Sequence, residues 1–256
     1  MRSGLLPGPF RSDNLYRVSD AHFTEPRLAE LYDPLDPDRG DLAPYAAIAD
    51  EFDVVTVLDI GCGTGTFACL LAQGGKDVTG VDPAAASLEV ARRKPCADRV
   101  RWILGDCSAL PALQVDMATM TGNVAQVFLT DEDWMATLRA ARNAMRPGGL
   151  LVFETRDPAR QAWREWTGEH RKVELPKVGT VETWGDLVEV NMPFVSFRTT
   201  FVFASDGAVF TSDSTLRFRE RAEVIESLHT AGFLVSGVRD APDRPGLELV
   251  FIASAN

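Results

Sequence analysis

The sequence of 256 residues has only four cysteines, three histidines and no long apolar run, and each scarcity excludes a class of protein. Cys62, Cys69, Cys96 and Cys107 show no C-x-x-C spacing, so neither a structural zinc nor a disulfide framework is expected and no metal is predicted. Reduced thiols of this kind fit a cytoplasmic location. No window approaches the roughly 18 apolar residues of a membrane span, and the opening MRSGLLPGPF carries no apolar core of an export signal, so no membrane partner is expected. Bases are also short: 26 against 37 acids leave a net charge of -11, which opposes attraction to phosphate, and nucleic acid is not an expected partner. The densest basic cluster, Arg92, Arg93 and Lys94, reads as a solvated helix end.

What is present describes a globular α/β chain, 45% hydrophobic and 25% charged. Residues 1–53 read as an N-terminal arm followed by two lid helices, at about Thr24 to Tyr32 and Leu42 to Phe52. From Val54 apolar runs alternate with amphipathic stretches, the pattern of βα units around a parallel sheet buried on both faces. Strands are predicted at Val54 to Ile60, Asp77 to Val81, Val100 to Leu104, Val115 to Met120 and Leu150 to Glu154. Helices are predicted at Gly65 to Gln73, Ala84 to Arg93 and Asp131 to Met145, within a core assigned to residues 54–175. No strand signal marks 156–171; residues 176–219 then hold short β-like runs without helices, at Thr180 to Thr183, Leu187 to Met192, Phe197 to Phe203 and Ala208 to Arg217, which predict an inserted antiparallel meander. Phe197, Thr199, Phe201 and Phe203 share one face there, which is expected to be buried. Residues 220–256 return to α/β form, with a helix at Arg221 to Ala231 and strands Phe233 to Arg239 and Leu247 to Ala253 closing the sheet as its antiparallel edge.

The chemistry concentrates where the first strand ends. Val57-Leu58-Asp59-Ile60-Gly61-Cys62-Gly63-Thr64-Gly65 runs from an apolar strand through three alternating glycines into a helix. Glycines permit tight turning and close ligand approach, and a helix N-terminus offers N–H groups to an anion. The spacing is G-x-G-x-G with a preceding acid, not the G-x-G-x-x-G of dinucleotide binders. Asp82 ends the second predicted strand, 17 residues beyond Gly65, where a carboxylate can accept from two ribose hydroxyls; capping the helix after Pro83 is the other reading. Gly105-Asp106-Cys107-Ser108 follows the third strand and Thr121-Gly122-Asn123 the fourth, both at the rim where open α/β sheets bind ligands.

The stretches VLDIGCGTGTFACLLA and VTGVDPAAASLEVAR resemble the first two motifs of class I S-adenosylmethionine (SAM)-dependent methyltransferases, and the resemblance runs from about Tyr32 to Glu154. It implies the Rossmann-like class I methyltransferase fold, a seven-stranded, mostly parallel sheet with helices on both faces, and SAM as cofactor. It also implies the cofactor contacts: Asp59, Gly61, Cys62, Gly63 and Gly65 under the methionyl end, Asp82 and Pro83 at the ribose, Asp106 and Cys107 at the adenine, Thr121 and Asn123 below the methyl group, and Tyr32 in a lid over the sulfonium.

The acceptor side is less defined. A base for methyl transfer is useful but not obligatory. His22, His170 and Glu154 are candidate catalytic groups, and Tyr16, Glu154 and Arg156 are candidate substrate contacts, although Glu154 and Arg156 could equally form a surface ion pair. His229, far from the crevice, reads as structural. No Pro-Pro-Tyr-type motif for handling a base follows the fourth strand. The expected function is transfer of a methyl group from SAM to an N or O atom of a small-molecule acceptor, with a non-catalytic SAM sensor as the alternative. The aromatic insertion serves either as a substrate cover or as the contact of a homodimer.

Overall fold

The computed structural model describes residues 20–168, 170–176 and 178–256. The N-terminal segment forms three single turns of helix, α1 (Ala21–Thr24), α2 (Pro26–Ala29) and α3 (Tyr32–Leu35), and then α4 (Ala43–Glu51). Periodicity predicts one helix over 24–32. The break at Glu25, whose backbone is extended, follows from Pro26, because a proline ring excludes helical geometry from the residue before it.

The core follows as β1 (Thr56–Ile60), α5 (Thr66–Gln73), β2 (Asp77–Asp82), α6 (Ala85–Ala91), β3 (Val100–Leu104), β4 (Val115–Met120), α7 (Asp131–Ala144) and β5 (Met145–Arg156). After an antiparallel insertion, α8 (Arg221–Thr230), β10 (Phe233–Asp240) and β11 (Glu248–Ala255) complete it. The seven strands lie in the order β10-β11-β5-β4-β1-β2-β3. Only β11 runs against its neighbours, so the true edge, β10, points the same way as the parallel strands. Strand β4 is buried along its whole length, and successive residues feed opposite layers. Leu58, Met120, Trp134, Phe153 and Phe251 pack on one face; Val57, Phe67, Met117, Val152 and Ile252 pack on the other. The strand order reverses between β1 and β4, which opens a crevice at their C-terminal ends.

The insertion is a separate four-stranded antiparallel sheet of β6 (Arg171–Leu175), β7 (Gly179–Asn191), β8 (Phe194–Phe203) and β9 (Val209–Arg217). The two runs predicted at 180–183 and 187–192 are one strand, with a bulge between Leu187 and Glu189. Gly185 carries no turn: a Cβ there would stand 2.6 Å from the Trp166 carbonyl oxygen, so the glycine admits a crossing chain. Strand β6, which has no sequence signal, exists because β7 offers it an edge. Phe201 and Phe203 are buried against Leu28 and Leu31 as their shared face predicts, while Phe197 and Thr199 are only half-buried. The sheet thus roofs the N-terminal segment.

The expectation of unpaired thiols is corrected. Cys69 on α5 and Cys96 before β3 form a disulfide with Cα atoms 5.6 Å apart, both buried. Their separation of 27 residues has no recognisable spacing; the α5–β2–α6 crossover brings them together. In the chain-entropy picture a loop of this length stabilises by about 3.5 kcal/mol. Reduction by dithiothreitol is accordingly expected to lower the unfolding midpoint, and the Cys69→Ser/Cys96→Ser variant to lose the sensitivity. An equal midpoint with and without reductant would refute the link. Among the described residues no helix is long and apolar enough to cross a membrane.

Candidate functional site

The glycine loop divides its labour. Gly61, Gly63 and Gly65 all have positive φ, at 69°, 53° and 77°. A Cβ on Gly61 would lie 2.6 Å from Val124, and one on Gly65 would collide with Trp102 and lie 2.9 Å from Ala91, so these two serve packing. A Cβ on Gly63 would meet nothing within 4 Å. Gly63 therefore faces open space, where a ligand can lie against the backbone.

The idea that free amides of this bend capture the ligand needs correction. The Gly61 and Cys62 amides donate to the Val81 carbonyl, Gly65 to that of Cys62, and Gly63 to Asp82 Oδ2 at 2.8 Å. The anion expected at the start of α5 is the chain's own Asp33, which accepts from Thr64 Oγ1 at 2.7 Å and Thr66 Oγ1 at 3.0 Å and pairs with Lys94 at 2.8 Å. Sequence reasoning passed over Asp33 beside Tyr32; its role depends on the lid segment folding back over the loop.

Asp82 braces two backbone amides, one in the glycine loop and one at the start of the next helix. Oδ2 braces Gly63, and Oδ1 accepts from the Ala84 amide at 2.7 Å ahead of α6. Each carboxylate oxygen keeps a further lone pair. Burial raises its pKa, while the two backbone donors hold it down. Pro83 is exposed beside it. Asp59 is almost wholly buried; Oδ1 accepts from Thr119 at 3.0 Å, Oδ2 has no partner, and burial pushes its pKa up to about 7. Cys62 is inert, its thiol buried against Gly80 and pushed well up by burial. Asp106 Oδ1 is occupied by the Ser108 amide and hydroxyl, so this oxygen shapes the turn. Cys107 is half-buried beside it, and burial pushes its thiol up to about 12.

Beyond Thr121, which is half-buried, a polar cleft of about 110 Å³ opens between the β4 and β5 ends and the N-terminal segment. Asn123 has a left-handed backbone, φ 62°, and its amide donates to Glu154 Oε1. Its side-chain NH2 donates to Glu248 Oε1 at 3.2 Å. Glu248 stands opposite Arg156 in the β5–β11 register and is paired with Arg244 at 2.8 Å and Arg156 at 3.8 Å. Glu154 is therefore no surface partner of Arg156: it is buried, and Glu248 takes the arginine. Burial first, and then the charge of Glu248, push Glu154 up to about 7. Tyr45, on α4, lines the same cleft and is pushed up by burial and by Glu154. Glu248, Arg244 and Tyr45 carried no sequence signal, because they come from remote elements that only the fold joins.

Two raised carboxyls have a consequence for stability. Asp59 and Glu154 have ordinary values of 3.8 and 4.5 and folded values near 7, so their contribution is full below about pH 4 and is lost as pH rises through 7. The unliganded protein is expected to unfold at lower temperature at pH 8 than these groups would give at pH 6. Glu154→Gln should flatten that decline, gaining about 2 kcal/mol at pH 8. A steeper decline in the variant, followed by calorimetry, would count against the assignment.

The histidines separate. His22 is packed against Phe23, Tyr32 and Phe201 with ring centroids 4.9–5.5 Å away, and burial lowers its pKa to about 4, so it is neutral at pH 7. It stands behind Tyr32, which itself lines the cleft. His170 is exposed, stacked on Trp184 at 4.5 Å and 3.3 Å from Glu182, on neither glycine loop nor cleft. His229 is exposed on α8. Arg156 lies over the Trp166 ring at 4.9 Å and donates to Gln126 at 3.1 Å, which places it at the cleft wall. Tyr16 lies outside the described residues. Among the described residues no cluster of three or more His, Cys, Asp or Glu could hold a metal.

Known proteins resemble this arrangement. Residues 57–149 match the family described as a methyltransferase domain. The cypemycin N-terminal methyltransferase of a Streptomyces species is 30% identical over 164 residues, covering 62% of this chain and 66% of the relative. The chain spans less than two thirds of the curated relatives it matches. Among solved structures, a SAM-dependent methyltransferase from Clostridium acetobutylicum aligns with a TM-score of 0.73 at 17% identity, over 90% of this chain and 98% of the other. The sugar N-methyltransferase KedS8 of a Streptoalloteichus species aligns at 0.73 and 16% identity, over 100% and 99%. At such identities these structures establish the fold, antiparallel sheet included. With the motifs lying at the ends of β1 and β2, residues 57–149 form a methyltransferase domain, and the chain has the fold of SAM-dependent methyltransferases.

Proposed function

We propose that this protein binds SAM and transfers its methyl group to a nitrogen or oxygen atom of a small molecule. The observation that carries this reading is the presence of two features at the C-terminal rim of one sheet: the open face of Gly63, braced by Asp82, and a polar cleft lined by Gly122, Asn123 and Glu154 at the ends of β4 and β5. The residues fit the cofactor. Asp59 Oδ2 is a buried acceptor without a donor, suited to an ammonium group, and Asp82 keeps lone pairs for hydroxyls. When bound, SAM supplies an electrophilic methyl carbon. The chain's residues hold and orient the reactants and keep water from them. Tyr32, against which His22 and Phe23 pack at a tilt, lies on the N-terminal side, and an aromatic ring there suits a neighbouring cation.

The cleft is small, which favours a small acceptor over a polymer. The named enzymes among the relatives, one acting on an N-terminus and one on a sugar nitrogen, support transfer over a sensor role. Calorimetry with SAM, S-adenosylhomocysteine and NAD tests the first step, and mass shifts in a library of small amines and alcohols test the second. Binding of NAD but of neither SAM nor its product would end the proposal.

A further inference from the structure

We infer that the acceptor is a small protonated amine and that Glu154 is the catalytic base that removes its proton before methyl transfer. This rests on the proposed use of SAM and concerns the far side of that site.

The cleft is lined by five acids, Asp36, Asp41, Glu154, Asp243 and Glu248, and by three arginines, Arg39, Arg156 and Arg244. Each arginine is already engaged: Arg39 with Asp41 at 3.0 Å, Arg244 with Glu248 at 2.8 Å and Asp243 at 3.5 Å, and Arg156 with Gln126 at 3.1 Å and Glu248 at 3.8 Å. Among the described residues the lining thus holds more acidic than basic side chains.

The shortage falls where hydrogen-bond donors are also missing. Among the described residues Glu154 Oε2 and Asn123 Oδ1 are buried without a geometric hydrogen-bond partner, and both residues line the cleft. Asn123 cannot relieve this by turning its amide, because Glu248, itself an acceptor, requires the NH2 group. Two buried acceptors on residues of one cleft, among more acidic than basic side chains, describe a site for a cation with at least two N–H bonds. A neutral hydroxyl offers one hydrogen and no charge.

Glu154 and Glu248 are neighbours with different tasks. Glu248 is paired with Arg244 and Arg156 and holds the Asn123 side chain in place. Glu154 receives the Asn123 amide and the Tyr45 phenol and faces Glu248, and burial poises its carboxyl near 7. From β5 it is faced by Arg156, from β11 and the loop before it by Glu248, Arg244 and Asp243, from α4 by Tyr45, and from the N-terminal segment by Tyr32, Asp36, Arg39 and Asp41. An ammonium group entering beside it gives up one proton to Oε2: an N–H bond breaks and an O–H bond forms. The electron pair left on nitrogen makes the new N–C bond with the methyl carbon, and the C–S bond breaks with its pair going to sulfur. Methylated ammonium and neutral S-adenosylhomocysteine depart, and Glu154 returns its proton to water.

The test uses the whole chain and a panel of polyhydroxylated primary amines, amino sugars among them, with the corresponding alcohols. The amines are expected to be methylated at least 100-fold faster than the alcohols, with kcat/KM rising with pH through a limb near 7. Glu154→Gln should cut kcat/KM for amines at least 100-fold and lose that limb, while binding S-adenosylhomocysteine within about two-fold of wild type. The acceptor preference and the pH limb are read on the unaltered protein and need no variant to fold. Faster methylation of the alcohols, methylation of no amine by protein that binds S-adenosylhomocysteine, or a Glu154→Gln enzyme with the wild-type limb would each overturn the inference. Failure to bind S-adenosylhomocysteine would instead overturn the proposed function beneath it.

Discussion

Gly65→Ala is expected to leave little folded protein, whereas Gly63→Ala should fold and lose its cofactor. Both glycines have positive φ, which costs an alanine about 1–2 kcal/mol at either position. The difference lies in what the new methyl meets. At Gly65 it would collide with the Trp102 ring and stand 2.9 Å from Ala91, in a layer where neither can retreat without moving β3 or α6, adding some 1–3 kcal/mol of overpacking. At Gly63 it would enter the open space that SAM is proposed to fill. Circular dichroism and thermal melting should show a drop of about 3 kcal/mol or more for Gly65→Ala and about 1–2 kcal/mol for Gly63→Ala. Calorimetry should then show S-adenosylhomocysteine affinity reduced at least 100-fold in the folded Gly63→Ala protein, corresponding to about 3 kcal/mol. Wild-type affinity in Gly63→Ala would mean that the ligand lies elsewhere.

Asp82→Ala carries the second large effect, on affinity and stability together. Its carboxylate ties the Gly63 amide to the Ala84 amide, so deletion frees two backbone donors at once, at about 1–3 kcal/mol each if they stay dry. It also removes the acceptors proposed for the ribose hydroxyls, and S-adenosylhomocysteine binding should weaken at least 100-fold. Asp82→Asn separates the two roles: an amide offers one oxygen and one NH2, so either Gly63 or Ala84 must face a donor. That variant should lose nearly as much as alanine despite its matching shape. If Asp82→Asn binds and melts like wild type, the bracing of the loop by this carboxylate is not what holds it.

How legible the molecule is in its sequence depends on the range over which each feature is specified. The βα series could be read because β4 is mostly apolar along its buried length and because Asp131, Glu132 and Asp133 open α7, both local signals. The insertion was legible as antiparallel β structure, yet its register was not, since Gly185 reads as a turn until the Trp166 carbonyl is seen against it. The N-terminal helix was overestimated because its apolar period continues across Pro26 while the backbone cannot. On the glycine loop, spacing announced a ligand. The assignment of its amides to Val81, Cys62 and Asp82 required the neighbouring strand in place.

Local order along the chain was enough to specify the α/β series, the three-glycine bend and the acid at the end of the second strand, because each depends on residues a few positions apart and on backbone rules that act at that distance. The Cys69–Cys96 bond, the seating of Asp33 on the start of α5 and the different partners of Glu154 and Glu248 were decided by tertiary structure alone. Each brings together groups from elements distant in sequence, and burial, which sets the state of a carboxyl, exists only once those elements have closed around it.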